Sequence, residues 1–362
     1  MKDFGKEYGL ILSSFLFSVG WFSIAFSLPL LGVRYGFTSA EIGLLGSGGA
    51  LPFVIFPYVL RNYTPESALR LLRIPPIVVA IGSILLIPYS PSLFILGLAI
   101  VDLLQGLYWI VIEIYIGYLD REGGAEKYSF SWGIPNFVMP IAMGFLVNAY
   151  GFLPLFVVGS VACLGSFFVT PKVHFPNVRK ATGKPEVKFV FPMLFVGNSS
   201  GYLFYVIIPH LRSVGVEYSA LGILSSIPSL VIALGFFFLI LLRSTSIWKS
   251  ALISSLFLAS PILLIFYHGL VEIAAISAVA GLGSAIGFSK VLAYVSKSTS
   301  PSYGVMYYEG FFAAGFTVGS LGGGFLFGLL SYGSSIVIFA LPVLYSIIMV
   351  LNSSRWISGS RL

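Results

Sequence analysis

The chain is a succession of long apolar stretches, each about the length of a bilayer crossing, separated by short punctuation. A helix needs roughly 20 apolar residues to cross about 30 Å of hydrocarbon. Runs of that kind fall near residues 8–32, 40–60, 69–89, 92–118, 128–150, 152–170, 189–210, 219–242, 247–267, 270–294, 304–328 and 334–353. Pro, Gly, Asn, Ser or charge bounds each one, as in Arg61-Asn62-Tyr63-Thr64-Pro65 and Tyr89-Ser90-Pro91-Ser92. The slightest break, Asn148-Ala149-Tyr150-Gly151, separates the fifth run from the sixth. The pattern predicts an all-α membrane protein with twelve transmembrane helices and both termini on one side. Composition agrees: with 57% hydrophobic and 9% charged residues, the chain falls far short of the roughly 25% charge of a soluble domain. A soluble enzyme, a nucleic-acid-binding protein and a disordered chain are all excluded. The first apolar run continues to Leu31, too long for a cleaved signal peptide, so it reads as a retained first helix.

Basic residues give the orientation, because Lys and Arg collect in cytoplasmic loops. With the N-terminus in the cytoplasm, only Arg34 and Arg212 of the 20 Lys and Arg residues fall on the far side. This asymmetry predicts a multi-pass protein of the cell membrane with cytoplasmic N- and C-termini. It also explains the net charge of +7 through membrane insertion, without an anionic partner. Cys163 is the single cysteine, so no intrachain disulfide can form.

The longest polar stretch, rich in Lys, Pro and Gly, lies between the sixth and seventh runs. It divides the chain into an N-terminal six-helix bundle (1–170), a cytoplasmic linker (171–188) and a C-terminal six-helix bundle (189–362). The halves resemble each other at an offset of about 180 residues. Pro29, Gly36 and Gly43 match Pro209, Gly215 and Gly222, and Arg61 matches Arg243. Pro140, Gly144 and Leu146 match Ser320, Gly324 and Leu326.

These residues carry a resemblance to the major facilitator superfamily. The segment LPLLGVRYGFTSAEIGLL resembles the end of that family's first helix, its outer loop and its second helix. Gly315-Phe-Thr-Val-Gly319-Ser320-Leu-Gly-Gly323-Gly324-Phe-Leu is similar to the family's pattern GxxxGPxxGGxL, with Ser for Pro. Asp102-Leu-Leu-Gln105-Gly106 resembles RxxQG with Asp at the Arg position, and of the loop motif GxxxDRxGRR only Arg61 is present. The resemblance implies two pseudo-symmetric six-helix bundles around a central cavity, and a secondary transporter working by alternating access.

Ionisable side chains inside a span are costly and mark sites. Asp102 and Glu113 lie eleven residues apart in the fourth run, about three turns, with Gln105 and Trp109 between them on one face. A carboxyl in a low-dielectric cavity is suited to carry a proton, so Asp102, Glu113 and Glu309 are the proton-coupling candidates. Helical spacing puts Ser14, Ser18 and Trp21 on one face of the first run. It does the same for Asn198, Tyr202 and Tyr205 on the seventh. With Gln105 and Trp109, the residues Trp21, Ser18, Asn198, Tyr202 and Tyr205 are the candidate substrate cavity, although small polar residues also serve close helix packing. Aligning the fourth and tenth runs sets Glu113 against Lys290 and Asp120 against Lys297 as a cytoplasmic gate. A local Lys290–Glu309 pair and snorkelling of Lys290 are the rivals.

Other motifs carry less. Gly197-Asn-Ser199-Ser-Gly201 matches GxSxG but lies within an apolar helix, with His210 about 16 Å further along, too far to activate Ser199. Three scattered histidines and one cysteine predict no metal site, and no cofactor or nucleotide motif is present. The expected function is therefore proton-coupled export of a lipophilic or cationic small molecule by a monomer in the lipid bilayer. Proton-coupled uptake of a neutral solute such as a sugar is the runner-up. A non-transporting membrane protein or lipid scramblase is the alternative of another class.

Overall fold

The computed structural model describes residues 2–60, 65–87, 90–119, 124–171, 185–241, 246–298 and 301–352. These residues are helical, with no strand among them. The helices are α1 (Lys2–Arg34), α2 (Ser39–Leu60), α3 (Pro65–Leu85), α4 (Pro91–Leu119), α5 (Gly124–Tyr150), α6 (Leu153–Val169), α7 (Phe191–Tyr202), α8 (Ile208–Ser213), α9 (Tyr218–Leu241), α10 (Ile247–Leu258), α11 (Leu270–Ser298), α12 (Pro301–Thr317), α13 (Gly323–Leu330) and α14 (Ser334–Leu351). Two pairs are continuous: a π-turn at Leu203–Ile207 carries α7 into α8, and another at Val318–Gly322 carries α12 into α13. Among the described residues nine stretches are long and apolar enough to cross a membrane. One of these, Tyr303–Leu351, is 49 residues long and holds α12, α13 and α14, which part only at the short turn Ser331–Gly333. Leu71–Leu85 and Leu153–Val169 are apolar but shorter. Leu51, Phe168, Phe237, Leu329 and many other large apolar side chains point outward, as a lipid-facing surface requires.

The internal repeat has a structural counterpart. After α1, Gly36 takes φ +77° and the amide of Phe37 donates to the carbonyl of Gly32 at 2.9 Å. After α8, Gly215 takes φ +97° and the amide of Val216 donates to the carbonyl of Leu211 at 3.0 Å. Both are the glycine-capped helix end that a left-handed residue makes possible. Thr38 and Glu41 then close α2 with a reciprocal capping box: the Thr38 amide donates to Glu41 Oε2 at 2.7 Å, and the Glu41 amide donates to Thr38 Oγ1 at 3.3 Å.

Next to these turns α2 crosses α13, and α5 crosses α9, through matched glycines. A Cβ on Gly43 would meet the carbonyl of Ser320, and one on Gly324 the carbonyl of Ser39. At the other crossing, a Cβ on Gly144 would meet the carbonyl of Tyr218, and one on Gly222 the carbonyl of Pro140. Each contact is the counterpart of the other at the repeat offset. Side chains add Ser47 Oγ to Ser320 Oγ at 3.1 Å and Asn148 Nδ2 donating to Ser219 Oγ at 2.9 Å. Phe152 and Tyr218 pack edge to face at 5.4 Å, with the Arg212 guanidinium 4.0 Å over Tyr218.

The GxSxG match has a packing explanation. Gly197 and Gly201 on α7 face Gly315 and the π-turn Gly319, so closely that a Cβ on any of the four would strike main-chain atoms of the opposing helix. Two small-residue stripes interlock here, the usual route to close helix approach in membranes.

Candidate functional site

Beneath these crossings lies a cavity of about 290 Å³, walled by both sequence halves. Its longest wall is one face of α4, where Asp102, Gln105, Trp109 and Glu113 all reach it. Their spacing of three, four and four residues is the period of one helix face. Asp102 sits against the small-residue stretch of α2, where a Cβ on Gly49 would come within 3.2 Å of its Oδ1. The missing side chain is what leaves room for the carboxylate. Gln105 Nε2 donates to the carbonyl of Gly49 at 3.3 Å.

Asp102 is 5% exposed, and its Oδ1 accepts no hydrogen bond. Toward the other end of the wall, Glu113 Oε1 accepts from the Tyr128 hydroxyl at 3.1 Å, while Oε2 has no donor. The group Glu113 faces is Glu309 of α12, also 5% exposed. Two carboxyls in contact cannot both stay ionised without a shared proton or an intervening cation. The opposite wall adds Ser225, whose Oγ is buried and unpartnered, with Ser229, Ser277 and Ser284.

Aromatic rings fill the rest. Trp21, Trp132, Tyr205, Phe288, Phe312 and Phe316 line the cavity. Trp132 packs edge to face on Phe288 at 5.4 Å, and Phe53 on Phe312 at 6.5 Å, which ties the halves together around the carboxyls. No Lys, Arg or His stands among the described lining residues.

The proton-coupling candidates Asp102, Glu113 and Glu309 thus share one cavity, together with Gln105, Trp109, Trp21 and Tyr205. Ser18, Asn198 and Tyr202 do not reach it. Ser18 Oγ donates to the carbonyl of Ser14 at 2.6 Å within its own helix. Asn198 Nδ2 donates to the carbonyl of Ile338 at 2.9 Å, and the Tyr202 hydroxyl pairs with Ser334 Oγ at 2.7 Å, so both residues fasten α7 to α14. On α7 the cavity face is instead Ser199, Ser200 and Leu203, one position round from the expected stripe. Tyr205 reaches the cavity because it lies in the π-turn, which rotates the face of every later residue.

Of the gate residues, Glu113 makes no ion pair among the described residues; its neighbours are Tyr128 and Glu309. Lys290 lies on α11 outside the cavity wall. Asp120 and the Lys297 side chain lie outside the described residues. Sequence reasoning missed Tyr128, Trp132 and Asn136, which the four-residue spacing along α5 could have revealed, and Ser225.

Scanned against known protein families and against curated proteins, the sequence matches none. Its structure does match. A crystal structure of the human organic anion transporter MFSD10 superposes with a TM-score of 0.69 at 13% identity, covering 95% of this chain and 99% of that one. A POT family transporter in complex with a thioalcohol-conjugated peptide gives 0.77 at 11% identity, covering 96% of each chain. The peptide transporter POT in complex with sulfate gives 0.74 at 13% identity, covering 97% of this chain and 94% of that one. The fold is that of the major facilitator superfamily. These similar structures are transporters, not enzymes, and their match extends over nearly the whole chain.

Proposed function

We propose that the chain is a secondary transporter that exports an organic cation in exchange for protons. Twelve spans are counted by dividing Tyr303–Leu351 in two and adding Leu71–Leu85 and Leu153–Val169 to the long apolar stretches. They form two six-helix halves, 1–170 and 189–362, joined by the linker 171–188, in a monomer of the cell membrane with both termini cytoplasmic. The glycine crossings close the end that carries the Gly36 and Gly215 turns. Closure of the opposite end by Glu113 and Lys290, with Asp120 and Lys297, belongs to the other conformation.

One observation carries the reading: a cavity with three carboxyls and many aromatic rings, but no cationic side chain among its described lining residues. Carboxylates and ring faces attract organic cations. Two of the similar structures are an organic anion transporter and a peptide transporter holding sulfate; an anion needs a cationic partner, and none stands among the described residues of this wall. A sugar is less well served, because Asn198 is engaged elsewhere and Gln105 is bonded to Gly49. Asp102, Glu113 and Glu309 hold protons when the cavity lacks a cation and release them when one enters, which couples the two flows.

The test is uptake of tetraphenylphosphonium into proteoliposomes under an imposed pH gradient. The protein drives uptake, and Asp102→Asn abolishes the driven part. An absence of gradient-driven uptake by the unmodified protein defeats the reading.

A further inference from the structure

We infer that this cavity is built for an elongated dication of the α,ω-diamine class, with one ammonium at Asp102 and the other at Glu113 and Glu309. The inference rests on the cation-transporter reading and gives it a substrate class.

The carboxyls are not gathered at one point. Asp102 and Glu113 lie on the same face of α4, eleven residues apart, hence ~16 Å apart along the helix. Each end offers a buried oxygen that meets the geometry of no hydrogen bond among the described residues, Asp102 Oδ1 and Glu113 Oε2. The second end also holds Glu309 beside Glu113. A single positive charge satisfies one end and leaves the other carboxyls buried and unpaired, which is the costly arrangement. Two charges joined by an apolar chain satisfy both.

The space between the ends fits that chain. Trp109 lies between the carboxyls on the same face, and Phe312 and Phe316 line the cavity on α12. Polymethylene groups pack on such rings, and ammonium groups interact with their faces. Ser225 Oγ, buried and unpartnered on the opposite wall, is a further acceptor for an N–H group.

The experiment is equilibrium binding to the full-length protein in lipid nanodiscs. It is read by tryptophan fluorescence, because Trp21, Trp109 and Trp132 all line the cavity. The probes are putrescine, octanediamine, decanediamine and dodecanediamine, the monoamines of equal carbon number, and tetraphenylphosphonium. Affinity should rise with diamine length up to a nitrogen separation slightly below the carboxyl spacing. The best diamine should bind about tenfold or more tighter than its monoamine. Asp102→Asn and Glu113→Gln, both near-isosteric, should each bring the diamine down to the monoamine level. The length series on the unmodified protein stands by itself if a variant does not fold. Equal affinity of diamine and monoamine, or no dependence on length, overturns the inference. In that case binding of tetraphenylphosphonium leaves the cation reading standing, whereas failure of every cation removes both.

Discussion

The matched glycines make a quantitative prediction about conformational balance. A Cβ on Gly144 would lie 2.5 Å from the Tyr218 carbonyl oxygen and 3.2 Å from the Gly222 Cα. Both are main-chain atoms, so the helices themselves must separate. Overpacking of this kind costs about 1–3 kcal/mol. In the alternating-access cycle proposed above the contact exists only while this end is closed, so the cost falls on one conformation. Gly144→Ala should therefore raise the population open at this end by about 5- to 150-fold. Adding Gly43→Ala, whose Cβ would meet the Ser320 carbonyl at the symmetric crossing, should add a second increment of similar size. The assay is electron–electron distance spectroscopy between spin labels on Tyr150→Cys at the end of α5 and Val214→Cys just after α8, both exposed positions. Cys163 is fully buried and leaves those labels selective. Gly133→Ala is the control, because its Cβ would meet only the Ala233 Cβ at an ordinary 3.8 Å. An unchanged distance distribution in Gly144→Ala, with only a lowered melting temperature, would refute the argument and reduce the clasp to static packing. So would an equal shift in the control.

Further predictions follow from the same contacts. Tyr202→Phe, which removes the hydroxyl bonded to Ser334, should cost about 1–3 kcal/mol of stability, seen as a lower detergent melting temperature, with cation affinity unchanged; a change in affinity would return Tyr202 to the cavity. Ser13→Ala removes a hydroxyl shared among Tyr108, Ser166 and Thr170 at 2.7–2.9 Å and should lower stability by a similar amount, again without altering binding. Gly315→Leu should prevent recovery of monodisperse protein, since its side chain would occupy the Leu194 carbonyl of α7; size-exclusion chromatography decides. Cation binding should release protons from Asp102 and the Glu113–Glu309 pair. Binding heats measured in buffers of different ionisation enthalpy should therefore differ, and identical heats would mean that the carboxyls carry no proton.

Much of this was legible in the chain because hydropathy and periodicity act over long windows. Positions of the apolar runs and the repeat offset depend on many residues at once. So does the α4 face that carries Asp102, Gln105, Trp109 and Glu113. The matched residues Gly43, Gly144, Gly222 and Gly324 proved to touch in symmetric pairs, a contact that spacing along one helix cannot reveal. What escaped depended on local departures from regular geometry. The π-turn at Leu203–Ile207 breaks the regular register of α7, so Tyr205 reaches the cavity while Asn198 and Tyr202 of the same expected face do not, and no composition signal marks the turn. Asn198 and Tyr202 share a helical face with Tyr205, which points to the cavity on spacing alone; the structure instead pairs them with α14, at Ile338 and Ser334. Facing of Glu113 by Glu309 rather than Lys290 depends on how α12 seats against α4, a tertiary fact. Tyr128 shows the same limit: its bond to Glu113 spans two helices.

Charge selectivity tests the central claim most directly. Pyranine-loaded proteoliposomes should be challenged in turn with an organic cation, an organic anion, a peptide and a sugar, for the unmodified protein beside Asp102→Asn. Proton movement with the cation alone, lost in the variant, is the predicted result. Proton movement driven by the anion or the peptide would contradict the account, because a cavity lined by Asp102, Glu113 and Glu309, with no cationic side chain among its described lining residues, is built for positive charge.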